Sequence, residues 1–216
     1  MLKIPIDPPV KCDLCPRLVE FRNKYEISNP DWFNGAVPSF GDKKGRLLIT
    51  GLAPGLKGAN RTGRPFTGDW AGDLLFPTLL KFGFAKGIYK AAPNDSLELV
   101  DTLINNSVKC VPPQNKPIAQ EIKNCRPFLK AQFEDLKNLK VVICLGSVSH
   151  DATLKMLGLK KVDYKFIHNA QHDIGNGVTL IDSYHCSRYN TNTRRLTVKM
   201  FEAVFKNARD IIGATI

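Results

Sequence analysis

Four cysteines of the chain have the spacing of metal ligands. Cys12 and Cys15 form a Cys-x-x-Cys pair near the start, and Cys110 and Cys125 form a wider pair around a proline-rich segment. Four thiolates brought together from two such pairs can hold a tetrahedral zinc ion or a [4Fe–4S] cluster, and the spacing alone does not choose between them. Coincidence is the alternative to metal binding, because a disulfide framework is not expected in a reducing compartment.

A second candidate site follows a predicted core strand. The segments Gly51-Leu-Ala-Pro-Gly55 and Asn60-Arg-Thr-Gly-Arg-Pro-Phe-Thr-Gly-Asp69 are rich in glycine and polar residues. Glycines let backbone N–H groups approach a ligand, and the carboxylate of Asp69 could position a water molecule. The alternative, which this segment alone favours, is a tight loop in which Thr67 or Asp69 caps the helix that begins at Trp70. A phosphate-binding P-loop is not expected, because no Gly-Lys-Ser/Thr follows.

Polar and cationic side chains surround one histidine late in the chain. The segment from Ser183 to Thr197 places His185 among many hydrogen-bonding groups, which include Ser187, Arg188, Asn190, Thr193 and Arg195. Chemistry on a nucleic-acid base, or contacts with phosphates, would suit such a loop. The equally supported alternative is a solvated loop that caps the last helix through Asn192 or Thr193. The other histidines, His150, His168 and His172, lack such neighbours and are expected at the surface or in packing.

Alternating strands and helices are predicted to position these residues. Apolar runs predict strands at Arg46–Thr50, Leu103–Val108, Lys140–Leu145 and Val178–Asp182, with Cys144 buried in the third and Cys186 in a polar loop. Helices are predicted from Pro16 and over Trp70–Phe82, Ile118–Lys137, Ser147–Leu157 and Arg194–Ile212, with a kink or an early stop at Pro77. This order predicts a single-domain α/β sandwich over residues 1–216 with a mainly parallel sheet, whose site lies beyond the carboxyl ends of its strands.

The composition favours a polyanionic partner. Lysine and arginine total 31 against 20 acidic residues, which gives a formal net charge of +11. Nucleic acid is the leading partner on this ground, with scattered solvated lysines as the equally weighted alternative. No apolar run approaches the roughly 20 residues that span a bilayer, and the start has no secretory signal pattern, so a cytoplasmic protein is expected.

Taken together, these segments resemble the uracil-DNA glycosylase superfamily, in particular its iron–sulfur branch known as family 5. The first family motif is similar to Gly51-Leu-Ala-Pro-Gly55 with Asn60-Arg-Thr-Gly63 and Phe66-Thr-Gly-Asp69. The second is similar to His185-x-Ser187-x-x-Asn190-x-x-Thr193-x-Arg195-Leu-Thr197, and the resemblance covers the chain from Cys12 to Thr197. Family 4 has glutamate at the place of Leu52, so the leucine points to family 5.

The resemblance implies a fold, a cofactor and a reaction. The fold would be a three-layer α/β sandwich with a short parallel sheet, and the four cysteines would hold a structural [4Fe–4S] cluster. The reaction would be the hydrolytic, monofunctional removal of uracil and other deaminated bases that are flipped out of DNA. In this scheme Asp69 positions the water and His185 stabilises the departing base, with Asp73 as the competing carboxylate.

The same resemblance assigns the remaining site residues. Phe66 would stack on the flipped base, and Asn106 would hydrogen-bond its polar edge unless it is only a strand-end turn residue. Backbone amides would assist from Gly51, Ala53 and Gly55. DNA contacts are expected from Ser187, Arg188, Asn190, Thr193 and Arg195. By position and size, Arg188 and Tyr189 are also candidates to fill the gap that the base leaves in the duplex.

Two positions depart from the family pattern. Cys186 replaces the proline of the usual His-Pro-Ser, which leaves loop rigidity and thiol reactivity open. Arg194 stands where glycine is usual, and either adds a phosphate contact or shifts the loop. Two other functions stay open: a family 4-like glycosylase strict for uracil, and a DNA- or RNA-binding module without catalysis. The expected partner is DNA with uracil or other deaminated bases, and the expected state is a monomer.

Overall fold

A computed structural model describes residues 4–213, and within that range the chain alternates between strands and helices. The helices are α1 (Pro16–Ser28), α2 (Ala59–Thr62), α3 (Trp70–Lys81), α4 (Ala119–Asp135), α5 (Ser147–Leu157), α6 (Arg188–Asn192) and α7 (Val198–Ile212). The strands are β1 (Phe40–Gly41), β2 (Leu47–Gly51), β3 (Ala85–Lys86), β4 (Glu98–Leu99), β5 (Thr102–Asn106), β6 (Val141–Leu145), β7 (Gln171–Asp173) and β8 (Thr179–Ser183).

One sheet organises the fold. Its strand order is β1-β5-β2-β6-β8-β7. The four central strands are parallel, whereas the edge strands β1 and β7 run antiparallel to their neighbours. Strand β2 lies between β5 and β6, so the chain order reverses on its two sides. This switch point is where open α/β sheets bind ligands, beyond the carboxyl ends of the strands.

Alternate residues of the central strands build two cores. Leu47 and Ile49 pack with residues of α3 and α7 on one face of the sheet. Leu48 packs on the other face with Val142 of β6 and Leu154 of α5. Side chains alternate along a strand, and all five residues of β2 are buried. This strand therefore contributes side chains to the cores on both faces of the sheet. The predicted α/β fold with a mainly parallel sheet between helices is confirmed.

The early stop considered at Pro77 and the predicted start of the last helix are both wrong. Helix α3 does not stop at Pro77 but continues to Lys81, with the proline on its exposed side. The last helix does not begin at Arg194: a separate helix, α6, precedes it, and α7 begins at Val198. Its cap is Thr197, whose Oγ1 accepts a hydrogen bond from the Met200 N–H at 3.2 Å, rather than Asn192 or Thr193.

Within residues 4–213, no helix combines the length and the apolar character that crossing a bilayer requires.

Candidate active site

A cavity of about 350 Å³ opens at the carboxyl ends of β2 and β5. The residues around it come from the segment 52–71, from Asn106 at the end of β5, from Asn115 in the following loop and from the histidine loop 185–188. Eight predicted site residues line the cavity, namely Ala53, Gly55, Phe66, Asp69, Asn106, His185, Ser187 and Arg188. Six further residues line it that were not predicted as site residues, namely Leu52, Pro54, Ala59, Trp70, Ala71 and Asn115.

Asp69 both caps a helix and faces the cavity. Its Oδ1 accepts a hydrogen bond from the Ala71 N–H at 3.1 Å, so the predicted capping role at α3 is confirmed. Its Oδ2 points toward Gly55, where a Cβ atom would lie 2.8 Å away. Burial raises the pKa of this carboxyl, although the N–H groups of Gly72 and Ala71 oppose the shift. Asp73, the competing carboxylate, is exposed on α3 and does not line the cavity.

Phe66 and Asn106 form one wall of the cavity. Phe66 adopts a left-handed backbone conformation, with φ of 54°, and its side chain is buried. Asn106 ends β5, is 3% exposed, and has an Oδ1 atom without a hydrogen-bond partner. A Cβ atom on Gly51 would overlap both side chains, so only glycine fits there. A buried acceptor without a donor is costly, and it suits a ligand that supplies an N–H group.

An ion pair that the sequence interpretation missed supports this wall. The guanidinium of Arg64 makes two hydrogen bonds to the Asp95 carboxylate, at 2.7 and 2.9 Å, and its Nε donates to Thr67 Oγ1 at 2.7 Å. Arg64 and Thr67 flank Phe66, so the pair holds the segment that leads to Asp69. Arg64 lies within the recognised motif, but nothing in the sequence pattern connects it to Asp95.

His185 faces Phe66 across the cavity. The two ring centroids lie 6.1 Å apart, with an angle of 29° between the planes. Burial lowers the pKa of His185 to about 4, so the imidazole is neutral near neutral pH. A neutral imidazole carries one N–H donor and one acceptor. It can therefore donate a hydrogen bond to a group that becomes negative.

Comparisons with known proteins show the family of the chain. Residues 38–209 match the model of the family described as "Uracil DNA glycosylase superfamily". The chain belongs to this superfamily. It is 39% identical to the type-5 uracil-DNA glycosylase of Thermus thermophilus, over 94% of both chains. It is 37% identical to the type-5 enzyme of Pyrobaculum aerophilum, over 92% of this chain and 88% of that one.

A type-4 relative is less extensively matched. The type-4 uracil-DNA glycosylase of Pyrobaculum aerophilum is 34% identical, over 68% of this chain and 61% of its own. The type-5 relatives are 33–39% identical to this chain and the type-4 relatives 27–34%, which agrees with the leucine at position 52. The predicted family is therefore confirmed.

The late loop of this superfamily member is tied together internally. Ser187 caps α6, where its Oγ accepts from the Asn190 N–H at 3.4 Å, and Asn190 Nδ2 donates to the His185 carbonyl at 2.9 Å. Thr193 Oγ1 donates to the Tyr189 carbonyl at 2.8 Å. Three of the predicted DNA-binding side chains thus shape the loop that carries His185. Arg194 has φ of 56°, which explains why glycine is usual at this position.

The cationic and aromatic side chains of this loop remain exposed. The guanidinium carbon of Arg188 lies 5.5 Å from the centroid of the Trp70 ring. That of Arg195 lies 4.7 Å from the centroid of the Tyr184 ring. Tyr189 is 73% exposed at the rim. These side chains form a basic and aromatic margin beside the cavity.

The four predicted metal ligands share one cluster. Cys12, Cys15, Cys110 and Cys125 pack together with residues of α1 and the end of β5. Burial raises the pKa of Cys110 to about 12 and that of Cys125 to about 11, and the neighbouring cysteines contribute in the same direction. Arg22, which is 2% exposed, places Nη1 3.7 Å from Cys110 Sγ. Its Nε has no partner, and no ion pair links Arg22 to a carboxylate of the described chain.

The remaining cysteines and histidines are placed as follows. Cys186 lies in the loop after β8, as predicted, but its side chain is fully buried in the core beside α7, and burial raises the pKa of its thiol. His150 is fully buried, as a packing residue would be, but contrary to expectation it has a polar neighbour, the carboxylate of Asp182. Cys144 is fully buried in β6, as predicted.

Proposed function

We propose that this chain removes uracil and other deaminated bases from DNA as a monofunctional glycosylase. The observation that carries the proposal is the single cavity that brings together the Asp69 carboxylate, the His185 imidazole and the Asn106 amide beside Phe66. Membership of the superfamily and the names of the type-5 relatives support the same activity.

Phe66 and Asn106, which form one wall of the cavity, would recognise the base. A base stacked in a duplex is inaccessible, so the target nucleotide must rotate out of the helix. Phe66 would offer a stacking surface to the flipped base. The unpartnered Oδ1 of Asn106 would accept a hydrogen bond from an N–H group of uracil or of a deaminated purine. Backbone amides of Gly51, Ala53 and Gly55 would approach the opposite edge.

The chemistry divides between the two ends of the breaking bond. The C–N bond breaks with its electron pair passing to the base, and the sugar becomes cationic. Neutral His185 donates an N–H hydrogen bond to the base as negative charge develops. Asp69 accepts a hydrogen bond from water and orients its oxygen toward the sugar carbon. Water then supplies a hydroxyl group to the sugar, and its proton finally resides on the base.

DNA binding would use the margin beside the cavity. Arg188 and Arg195 would approach phosphates, and Tyr189 would occupy the space that the flipped base vacates. Ser187, Asn190 and Thr193 would shape this contact through the hydrogen bonds that they make within the loop. The formal net charge of +11 favours the same partner.

The cysteine cluster suits a [4Fe–4S] cluster better than zinc. Sulfurs around one tetrahedral zinc ion would lie about 3.8 Å apart. Among the described residues, three potential ligand atoms come within 4.8 Å of one another only at His150, His172 and Asp182. No three of the four cysteine sulfurs therefore lie within 4.8 Å of one another, which is wider than a zinc site and favours a larger group. The buried Arg22 guanidinium would balance the negative charge of that group. Cys12, Cys15, Cys110 and Cys125 would hold the cluster, which would stabilise the fold and take no part in base removal.

The proposal includes the cellular setting. We propose that residues 1–216 act as one domain and as a monomer in the cytoplasm. Its reducing conditions would keep thiol ligands available, and all six cysteines are free.

A glycosylase assay tests the function. Duplexes with one uracil, one hypoxanthine or only normal bases would be incubated with cluster-containing protein and then treated with alkali, which cleaves abasic sites. Excision of uracil and hypoxanthine, with no strand cleavage before alkali, is expected. Excision of uracil alone would favour a family 4-like specificity. Binding without any excision would leave a non-catalytic nucleic-acid-binding module.

A further inference from the structure

Asp182 is a fully buried carboxylate with a histidine at each oxygen. Oδ1 lies 2.7 Å from His150 Nδ1, and Oδ2 lies 3.2 Å from His172 Nε2. None of these residues lines the cavity. Asp182 nevertheless belongs to β8, the strand that leads directly to His185.

The backbone carbonyl of Tyr164 fixes the protonation of His150. A carbonyl only accepts hydrogen bonds, so His150 Nε2, which lies 2.9 Å from it, must carry a hydrogen. Nδ1 then faces a carboxylate oxygen at 2.7 Å, and a proton must lie between them. The pair is an imidazolium and a carboxylate that share this proton. Burial opposes charge on His150, but the hydrogen bond and the negative charge of Asp182 outweigh it and raise the pKa of His150.

Other titratable groups lie near the pair on every neighbouring element. Asp151 of α5 adds negative charge beside His150 and is itself paired with Lys161 at 2.6 Å. His172 of β7, Cys144 of β6 and His168 face Asp182. Of these groups, only Asp151 favours a protonated His150.

The pair connects helix α5 to the end of β8. His150 lies in the first turn of α5, and its backbone N–H donates to the Gly146 carbonyl at 3.1 Å. The Gly146 N–H in turn donates to the Ser183 carbonyl at 2.8 Å. A Cβ atom on Gly146 would lie 3.6 Å from His185 Cβ, so this turn packs directly against the proposed catalytic histidine.

We infer that His150, Asp182 and His172 are positioning residues that hold His185 in place for base excision, an inference that rests on the proposed function. The side chains act through the backbone of β8 and the first turn of α5. A metal ion is the competing occupant of the triad. Two ligand atoms on a tetrahedral zinc ion would lie about 3.3 Å apart, whereas His150 Nδ1 and Asp182 Oδ1 are 2.7 Å apart, which favours a proton.

The test compares Asp182→Asn with Asp182→Ala in cluster-containing protein. Asparagine can retain both hydrogen bonds, because its Nδ2 donates to a neutral His150 Nδ1 and its Oδ1 accepts from His172. Alanine removes both. With alanine, the single-turnover excision rate should fall by about 10- to 100-fold, because a small misplacement of a catalytic group has a cost of this size. The Kd for uracil-containing duplex should stay within about twofold of wild type. Asparagine should restore most of the rate.

A spectroscopic readout separates this role from general destabilisation. Nitrogen NMR of labelled histidines near neutral pH should show His150 protonated on both nitrogens in the wild type. In Asp182→Asn it should carry a proton on Nε2 alone. These spectra do not depend on activity, so they test the triad even if the wild type excises no base.

Several outcomes would overturn the inference. A folded Asp182→Ala variant with a wild-type rate would remove the positioning role, and a singly protonated His150 in the wild type would remove the charged pair. If alanine prevents folding, Asp182→Asn decides: folded and active protein supports the inference, and inactive or unfolded protein contradicts it. Stoichiometric zinc binding that Asp182→Asn abolishes would assign the triad to a metal instead.

Discussion

Asp69 faces Gly55 so closely that a Cβ atom on the glycine would lie 2.8 Å from the carboxylate Oδ2. The same carboxylate caps α3 through Oδ1. The two oxygens therefore have separate roles: Oδ1 caps the helix, and Oδ2 lies against Gly55, which restricts its position. Capping and catalysis were alternatives in the sequence, and the geometry permits both.

Gly55→Ala should displace the Asp69 carboxylate without unfolding the protein. The nearest atoms to the new methyl group belong to the Asp69 side chain alone, so the backbone need not move. The single-turnover excision rate should fall by about tenfold or more, with little change in thermal stability. Double-mutant analysis provides the control: in an Asp69→Asn background the alanine should have little further effect. Additive losses would show that Gly55 acts elsewhere.

Excision should decline toward acid pH at a higher pH than an ordinary carboxyl would cause. Burial raises the pKa of Asp69, and the proposed water-positioning role needs the ionised form. Lowering the pH through this raised pKa therefore removes the active species, and the rate falls. Single-turnover rates across a pH series measure the effect. His185 stays neutral over most of that range, because its pKa is about 4.

The matched control for the carboxylate is its neighbour on the first turn of α3. Asp69→Asn should reduce excision by about 100-fold or more, since it removes the charge and retains some capping ability. Asp73→Asn should be close to wild type, because Asp73 is exposed outside the cavity. The reverse result would assign the water-positioning role to Asp73. If neither variant folds, the result would support helix capping, and not catalysis, as the role of Asp69.

The sequence predicted the strands that end at the site because their apolar runs match the buried positions of a parallel sheet. The edge strands β1 and β7 were missed, since they have two or three residues and mixed exposure. The motif residues could be recognised by resemblance, but their supporting contacts could not. Arg64 and Asp95 are 31 positions apart, and His150 and Asp182 are 32 apart, so no local periodicity connects them.

Asp95→Asn should destabilise the protein and slow excision. The hydrogen bonds from Arg64 lower the pKa of Asp95 to about 2. The lowered pKa corresponds to about 2 kcal/mol of folding free energy. This contribution is complete above the pKa of the unfolded carboxyl, about 3.9, and disappears as the pH falls toward about 2. Breaking the buried pair near neutral pH should cost about 3 kcal/mol or more, because Arg64 stays buried and unpaired.

Denaturant unfolding across acid pH measures this contribution. The difference in unfolding free energy between wild type and Asp95→Asn should shrink as the pH falls. A constant difference would show that the carboxylate charge does not stabilise the fold. Lys86→Ala is the control, because it removes a surface ion pair. The side chains of Lys86 and its partner Glu98 are 68% and 67% exposed, so the variant should change the unfolding free energy little.

Arg194→Gly should relax the backbone of the late loop. Arg194 has φ of 56°, a conformation that costs a non-glycine residue about 1 kcal/mol and that glycine adopts freely. The expected gain in unfolding free energy is smaller, about 0.5 kcal/mol, since glycine also makes the unfolded chain more flexible. Arg194→Ala is the control: it removes the charge but keeps the strained backbone. If both variants weaken DNA binding equally, the lost charge explains the weaker binding. If only Arg194→Gly raises the unfolding free energy, relief of backbone strain explains the gain in stability.

Removing any one of the four clustered cysteines should remove the brown colour that a [4Fe–4S] cluster gives. Cys12→Ala is the most direct variant, because Cys12 is the least buried of the four thiols and its loss leaves the smallest gap in the core. Iron content and visible absorption should fall, along with soluble yield. Cys144→Ala and Cys186→Ala are matched controls, since both thiols are fully buried but lie in other clusters. Each should lose some stability through the cavity it creates and retain full iron content. Zinc in place of iron after anaerobic purification would contradict the cluster assignment.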